Sequence, residues 1–73
     1  MLAIYNMMKG HNYSITNYGD VYEFVVVEIN SNEDVVVKDI HTLEVFNVQD
    51  IFIAGKGPDY DLHALWNAPF RTI

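Results

Sequence analysis

The side chains best suited to chemistry in this sequence are two aspartates and a histidine in its carboxyl-terminal part. Asp59, Asp61 and His63 occupy every second position, and carboxylates and imidazoles bind metal ions or transfer protons. On a helix, Asp59 and His63 would share a face while Asp61 points away. Two ligands make an incomplete metal site. We therefore interpret the group as a helix cap with a carboxylate–imidazole pair, and we predict no metal and no other cofactor.

A short glycine-containing stretch, Gly55-Lys56-Gly57, has the residue types but not the spacing of a phosphate-binding loop. Such a loop has four residues between its first glycine and a Gly-Lys pair, followed by serine or threonine. We interpret residues 54–58 as a flexible connection. No spacing links a nucleophile to a base among the serines and histidines either, which are Ser14, Ser31, His11, His41 and His63. The sequence therefore predicts a protein that is not an enzyme.

The length and composition predict one small domain that spans residues 1–73. A chain of 73 residues cannot divide its apolar side chains between two cores, and a 51% hydrophobic content argues against disorder. The sequence contains no cysteine, so it lacks the disulfides that small secreted domains usually need. We also expect no signal peptide, because residues 1–14 lack its basic start and long apolar run, and no run of roughly 18 apolar residues that could span a bilayer is present. We predict a cytoplasmic protein without membrane association.

The charge is strongly acidic and unevenly distributed. Ten aspartates and glutamates face four lysines and arginines, which gives a formal charge of −6. Six of the carboxylates and one lysine lie between Asp20 and Asp39. Because nucleic-acid binding depends on basic side chains that neutralise phosphates, a nucleic-acid partner is disfavoured and a basic protein partner is favoured. An acidic surface that only maintains solubility is the alternative interpretation.

The hydrophobic pattern indicates consecutive antiparallel strands at residues 13–16, 21–29, 35–40 and 44–48. Residues 17–20 form a predicted turn in which Gly19 supplies a positive φ, residues 30–34 a hairpin loop and residues 41–43 a tight connection. The segment 21–29 is apolar on both faces, so it is covered on both sides or bends to serve two sheets. Residues 49–52 resemble a helical turn or a last short strand.

The two ends of the chain have weaker patterns. Residues 1–10 are apolar without a clear period and are interpreted as an edge strand or a flexible segment. Residues 59–67 are predicted to form a short helix, since Leu62, Leu65 and Trp66 have i, i+3, i+4 spacing. Such a short helix needs tertiary contacts, and Trp66 is the expected anchor.

These elements resemble the small barrel of SH3 domains. Gly19-Asp20 corresponds to the diverging turn of that family, residues 21–29 to its long strand, residues 30–34 to its variable loop, residues 39–44 to its distal hairpin and residues 48–51 to its 3₁₀ turn. The opening Ala3-Ile4-Tyr5-Asn6 is similar to the family's Ala-Leu-Tyr-Asp-Tyr signature. The resemblance implies a mainly β fold, a small five-stranded antiparallel SH3-like barrel with a short C-terminal helix.

Two departures from the SH3 pattern argue against recognition of proline-rich peptides. Valine stands at positions 35 and 36, where peptide-binding members of the family have a tryptophan after the variable loop. Residues 48–50 are Val-Gln-Asp where the family has a proline and a tyrosine. Proline-rich peptides need an aromatic-lined groove, and most of that groove is missing here.

The best candidate for a binding surface is a set of tyrosines and carboxylates around the predicted turn at residues 17–20. The set consists of Tyr13, Tyr18, Asp20, Tyr22 and Glu23. Such a surface could hold lysine or arginine side chains through ion pairs and cation–π contacts, as the aromatic cages of the similar Tudor-like barrels hold methylated side chains. The alternative is that these tyrosines only cover the open ends of the barrel.

The function predicted from these features is that of a non-enzymatic protein-interaction module that presents an acidic, tyrosine-rich surface to a basic protein partner. The main alternative is a small acidic inhibitor, of the kind that some phages encode, which mimics nucleic acid and blocks a nucleic-acid-binding enzyme. A direct oligonucleotide binder and a subunit of a larger assembly are further alternatives. A homodimer would be one way to supplement a thin core.

Overall fold

Within the residues that the structure describes, the chain forms a single antiparallel sheet of five strands with two 3₁₀ turns. A computed structural model describes residues 3–65, apart from the side chain of Tyr5. The strands are β1 (Asn12–Asn17), β2 (Asp20–Ser31), β3 (Asp34–Asp39), β4 (Val45–Asn47) and β5 (Asp61–Ala64), and the 3₁₀ turns are Ile4–Asn6 and Val48–Phe52. The strand order in the sheet is β4-β3-β2-β1-β5.

The predicted mainly β fold with five antiparallel strands is confirmed, and the 3₁₀ turn expected at residues 48–51 is present. The described part of the sheet is not closed into a barrel, because β4 and β5 are its two edges and do not pair with each other. What the structure supports is therefore a small open five-stranded sheet.

The long strand β2 serves two partners along its length. Its first half pairs with β1, and its second half pairs with β3. The register with β3 shifts between Val26 and Glu28 and again between Ile29 and Ser31. Extra residues of this kind bend a strand and increase its twist. Of the two alternatives given for this segment, coverage on both sides or a bend, the register shifts in its second half favour the bend.

The core lies on one side of the sheet and is built from alternate strand positions. The second 3₁₀ turn and the segment before β1 complete it. Its buried apolar members are Met7, Tyr13, Ile15, Phe24, Val26, Val35, Val37, Val48, Ile51 and Leu62. Each such side chain contributes roughly 1.5–3 kcal/mol by leaving water, so this small core depends on nearly every strand.

The predicted helix at residues 59–67 is wrong for the part that the structure describes. Asp61–Ala64 is strand β5, which pairs with β1 through Leu62 and Ile15. Leu62 is buried while Asp61 and His63 are exposed, which is the alternation of a strand rather than the face of a helix. Pairing with β1 satisfies backbone groups that a short isolated helix leaves exposed. Trp66, the expected anchor, lies outside the described residues.

The predicted edge strand at residues 1–10 is also wrong where the structure describes it. Ile4–Asn6 is a 3₁₀ turn, after which Met7 enters the core with 4% of its surface exposed. The backbone N–H of Met8 donates a hydrogen bond to the Tyr13 hydroxyl at 2.8 Å. This segment packs against the core and adds no strand to the sheet.

The buried side chain of Asn17 joins the β1–β2 hairpin to the loop at residues 51–59. Its Nδ2 donates to the carbonyl oxygens of Ile51 and Gly55 at 3.1 and 3.0 Å, and its Oδ1 accepts from the N–H of Gly57 at 2.8 Å. Only 3% of Asn17 is exposed. The loop at residues 54–58, which the sequence predicts to be a flexible connection, is therefore tied to the hairpin through Gly55 and Gly57, and the same side chain also holds Ile51 in the second 3₁₀ turn.

The carboxylate of Asp59 makes a second connection between the same two segments. It accepts hydrogen bonds from the backbone N–H groups of Tyr18 and Gly19 at 2.8 and 2.7 Å. Tyr18 and Gly19 are the two central residues of the hairpin turn, and both have positive φ (50° and 82°), as in a type I′ turn. Gly19 plays the predicted conformational role, whereas Asp59 caps this turn instead of a helix.

Replacing Asn17 with alanine is expected to destabilise the fold by about 2–3 kcal/mol, because the buried carbonyl group of Ile51 and the partly buried carbonyl of Gly55 and N–H of Gly57 lose their partner. The matched control is Asn32→Ala in the exposed β2–β3 turn, which should change stability by less than about 0.5 kcal/mol. Chemical denaturation of both variants measures the difference. Equal stabilities for the two variants would show that the Asn17 contacts do not hold the loop.

Candidate functional site

A shallow groove runs beside the second 3₁₀ turn, on the side of the sheet that carries the core. It comprises two cavities of about 240 and 290 Å³ that share Tyr22, Asp50 and Ile51. We call it the acidic groove and define it by its lining residues, which are Asn17, Tyr18, Asp20, Tyr22, Asp39, Glu44, Phe46, Asp50, Ile51, Ile53 and Ala54. Strands β2, β3 and β4, the hairpin turn and the second 3₁₀ turn all contribute to it.

The charged residues that line the groove, within the described part of the chain, are all acidic. Four of its lining residues carry carboxylates, namely Asp20, Asp39, Glu44 and Asp50, and none is a lysine or an arginine. Beside the carboxylates lie the rings of Tyr18, Tyr22 and Phe46. The groove thus combines negative charge with aromatic surface.

The lysines in the described part of the chain are engaged or placed elsewhere. Lys9 lies 3.9 Å from a carboxylate of β2. Lys38 follows an inward-facing valine of β3 and so points to the opposite face of the sheet. The ammonium of Lys56 lies over the rings of Tyr60 and Phe52, 4.7 and 5.7 Å from their centroids. These positions leave the carboxylates of the groove without a lysine among its walls.

Tyr22 lies at the junction of the two cavities. It is half-buried, and its hydroxyl lies 3.5 Å from Oδ2 of Asp20. Burial, and then the neighbouring Asp20 carboxylate, raise the pKa of the Tyr22 hydroxyl above its usual value. The phenol therefore remains protonated at physiological pH and offers a neutral aromatic ring to the groove.

Asp39 holds the tight connection between β3 and β4. Its Oδ1 accepts hydrogen bonds from the N–H groups of His41 and Thr42 at 2.7 and 2.9 Å. These backbone hydrogen bonds, that of Thr42 first, lower the pKa of the Asp39 carboxyl. The connection needs no glycine because Asp39 caps it and Leu43 adopts a positive φ of 66°. The same carboxylate therefore shapes the loop and contributes charge to the groove.

Three of the five residues predicted for the binding surface line this groove, and two do not. Tyr18, Asp20 and Tyr22 line its second cavity. Tyr13 is not on this surface, because 96% of it is buried in the core, where it packs against Phe24 with ring centroids 6.4 Å apart. The tyrosine-rich pattern around the turn predicts an exposed Tyr13, but in β1 this residue occupies an inward position.

Glu23 points to the other face of the sheet, since it follows Tyr22 in β2. Its carboxylate lies 2.6 Å from Nε2 of His41. The hydrogen bond to Glu23 is the main cause that raises the pKa of His41. Glu23 therefore joins β2 to the β3–β4 connection and does not form part of the groove.

Sequence reasoning missed the half of the groove that comes from the β3–β4 region and the second 3₁₀ turn. The missed residues are Asp39, Glu44, Phe46, Asp50 and Ile51. The sequence shows the acidic run up to Asp39, but the proximity of Asp39 to Tyr22 depends on the β2–β3 register. The signal that could have found the rest is the pair of carboxylates, Glu44 and Asp50, that flank an inward-facing phenylalanine.

The proposed group of Asp59, Asp61 and His63 is divided between two places. Asp59 binds the hairpin turn, while Asp61 Oδ2 lies 2.8 Å from Nδ1 of His63 on the exposed face of β5. The predicted contact between Asp59 and His63 is therefore wrong, because the partner of His63 is Asp61. Within residues 3–65, no three histidine, aspartate or glutamate side chains are arranged to hold a metal ion. No helix in this range is long and apolar enough to cross a membrane.

The Asp59 cap is expected to make the fold sensitive to acid. The N–H groups of the turn, that of Gly19 first, lower the pKa of the Asp59 carboxyl. A lowered pKa contributes stability that is present above the unfolded-state value of about 4 and is lost as pH falls through the folded-state pKa. The melting temperature of Asp59→Asn should therefore lie below that of the wild type at about pH 6. The two should converge towards pH 3.

Thermal unfolding between these pH values tests the expectation. Glu33→Gln, which changes an exposed carboxylate in the β2–β3 turn, serves as the control and should follow the wild type throughout. A constant difference between wild type and Asp59→Asn at every pH would show that the cap does not depend on the charge of this group.

Comparisons with known proteins add no assignment to this geometry. No protein-family model, no curated protein and no solved structure matches the chain. The function must therefore be argued from the acidic groove itself, from its charge, its aromatic walls and its size.

Proposed function

We propose that this chain is a non-enzymatic protein-interaction module whose acidic groove holds a basic segment of a partner protein. The observation that carries the proposal is the composition of the groove, in which four carboxylates and three aromatic rings meet without a lining lysine or arginine. Concentrated negative charge attracts a cationic partner and raises its rate of association.

The walls of the groove suit the side chains of a basic segment. Its two cavities, of about 240 and 290 Å³, meet at Tyr22. Lysine and arginine side chains can lay their apolar stems against Tyr22 and Phe46 while their charged ends meet carboxylates. Lys56 on Tyr60 and Phe52 is an example of such a contact within the same chain.

An SH3-like arrangement is part of the proposal. Its support is the long bent β2, the tight connection after β3 and the 3₁₀ turn that directly follows β4. The absence of cysteine supports a cytoplasmic location, because small secreted domains are usually stabilised by disulfides. These features support the setting of the proposal, while the groove supports the function.

The proposal predicts salt-dependent binding of a basic peptide that requires the carboxylates of the groove. The probe is fluorescein-labelled octaarginine, with octaglutamate as the negative control, in anisotropy titrations at about 20 and about 200 mM salt. Octaarginine should bind the wild type at low salt and lose roughly tenfold in affinity at the higher salt, because exposed ion pairs are screened.

A matched pair of double variants separates the groove from the overall charge. Glu44→Lys with Asp50→Lys reverses two charges inside the groove, and Glu28→Lys with Glu33→Lys reverses two exposed charges outside it. Both double variants change the net charge by the same amount. The first should nevertheless weaken binding by about tenfold or more and the second by only about twofold, because only the first changes carboxylates that line the groove. Equal losses in both would show that net charge, and not the groove, attracts the peptide. Competition between nucleic acid and this protein for one basic enzyme would favour the inhibitor alternative.

A further inference from the structure

We propose that the basic segment binds as an added β-strand along the free edge of β4. This inference rests on the proposed function and specifies how the partner occupies the groove. Strand β4 pairs with β3 on one side, and no described residue pairs with its other side. An added strand gains affinity from main-chain hydrogen bonds and specificity from the surfaces that receive its alternate side chains.

The register of β3 and β4 shows which backbone groups face the free edge. The N–H of Asp39 donates to the carbonyl of Glu44 at 2.8 Å, and Val37 is opposite Phe46. Because hydrogen-bonded and non-hydrogen-bonded pairs alternate in an antiparallel ladder, Glu44 and Phe46 bond towards β3. The N–H and C=O of Val45, which lies between them, therefore point away from the sheet.

The same edge opens directly onto the acidic groove. Glu44, Phe46 and Asp50 line the first cavity, and Phe46 faces the core side, where its ring meets Phe24 edge-on at 6.3 Å. Val45 faces the other side and is 58% exposed. In a strand laid beside β4, alternate side chains would lie over Phe46 between the two carboxylates, and the others would lie beside Val45.

The charge around this edge identifies the kind of occupant. Exposed edges are commonly protected by lysines or by an inward charge, but the residues that flank β4 at this edge are acidic, Glu44 and Asp50. A second copy of the chain would bring another formal charge of −6 to the same place, and like charges in contact oppose association. The edge fits an extended segment that alternates lysine or arginine with apolar residues.

Methylation of the peptide backbone tests strand addition without changing the protein. The parent probe is an acetylated, amidated peptide of three Lys-Val repeats, and two derivatives carry N-methyl groups on all valines or on all lysines. Only one set of N–H groups can face β4. If the strand adds antiparallel, the valines opposite Val45 donate, and if it adds parallel, the neighbouring lysines donate.

We expect one methylated peptide to lose at least about tenfold in affinity and the other to bind like the parent, since each lost main-chain hydrogen bond weakens binding several-fold. Amide hydrogen exchange is the second measurement. The Val45 N–H should exchange at least about tenfold more slowly in the complex, whereas the Phe46 N–H, already bonded to β3, should change little.

The outcomes separate this inference from the proposed function. If the parent binds and both methylated peptides bind equally well, strand addition is overturned while the acidic groove remains the binding site. Equal losses for both methylated peptides, with unchanged exchange at Val45, also overturn it. If the parent peptide and octaarginine both fail to bind at low salt, the proposed function and the inference fall together.

Discussion

The fold depends most on a single buried amide. Asn17 lies at the end of β1, and its three hydrogen bonds reach Ile51 in the second 3₁₀ turn and Gly55 and Gly57 in the loop that follows it. Without Asn17, the buried carbonyl group of Ile51 would lose its side-chain partner in the core. Because the loop carries Ile53 and Ala54 and the hairpin carries Tyr18, the same amide sets the distance between two walls of the acidic groove. The position of the groove therefore depends on the buried polar side chain of Asn17 as well as on the charged residues that line it.

The two faces of the sheet differ in how their carboxylates are placed. On the core side, the carboxylates of the groove lie beside Tyr22, Phe46 and Ile51, which border the buried core. On the other side, Glu23 with His41 and Asp61 with His63 form two exposed pairs, which contribute little to stability in water. Among residues 3–65, none of the four carboxylates of the groove forms an ion pair with a lysine, arginine or histidine side chain.

The sequence allowed the strands with strong patterns to be predicted, together with the turn at Gly19 and the 3₁₀ turn after β4. Local chemistry decides the strands and the hairpin turn, through β-branched runs and a glycine with positive φ, whereas the 3₁₀ turn was expected from the resemblance to SH3 domains. It does not decide β5, whose four residues contain one buried leucine and acquire strand geometry only by pairing with β1. The role of Asp59 and the position of Tyr13 were missed for the same reason, since both depend on contacts between distant segments.

The long-range character of the Asn17 and Asp59 contacts has a kinetic consequence. Strands β2, β3 and β4 follow one another through short connections, whereas the hydrogen bonds that fix the hairpin to the loop join residues 34 to 41 positions apart. Closing such long loops costs entropy that only later contacts recover, and folding slows as contacts become less local. The free edge of β4 therefore depends on contacts between consecutive strands, whereas the wall of the groove at Ile53 and Ala54 depends on contacts between segments that are far apart in the chain.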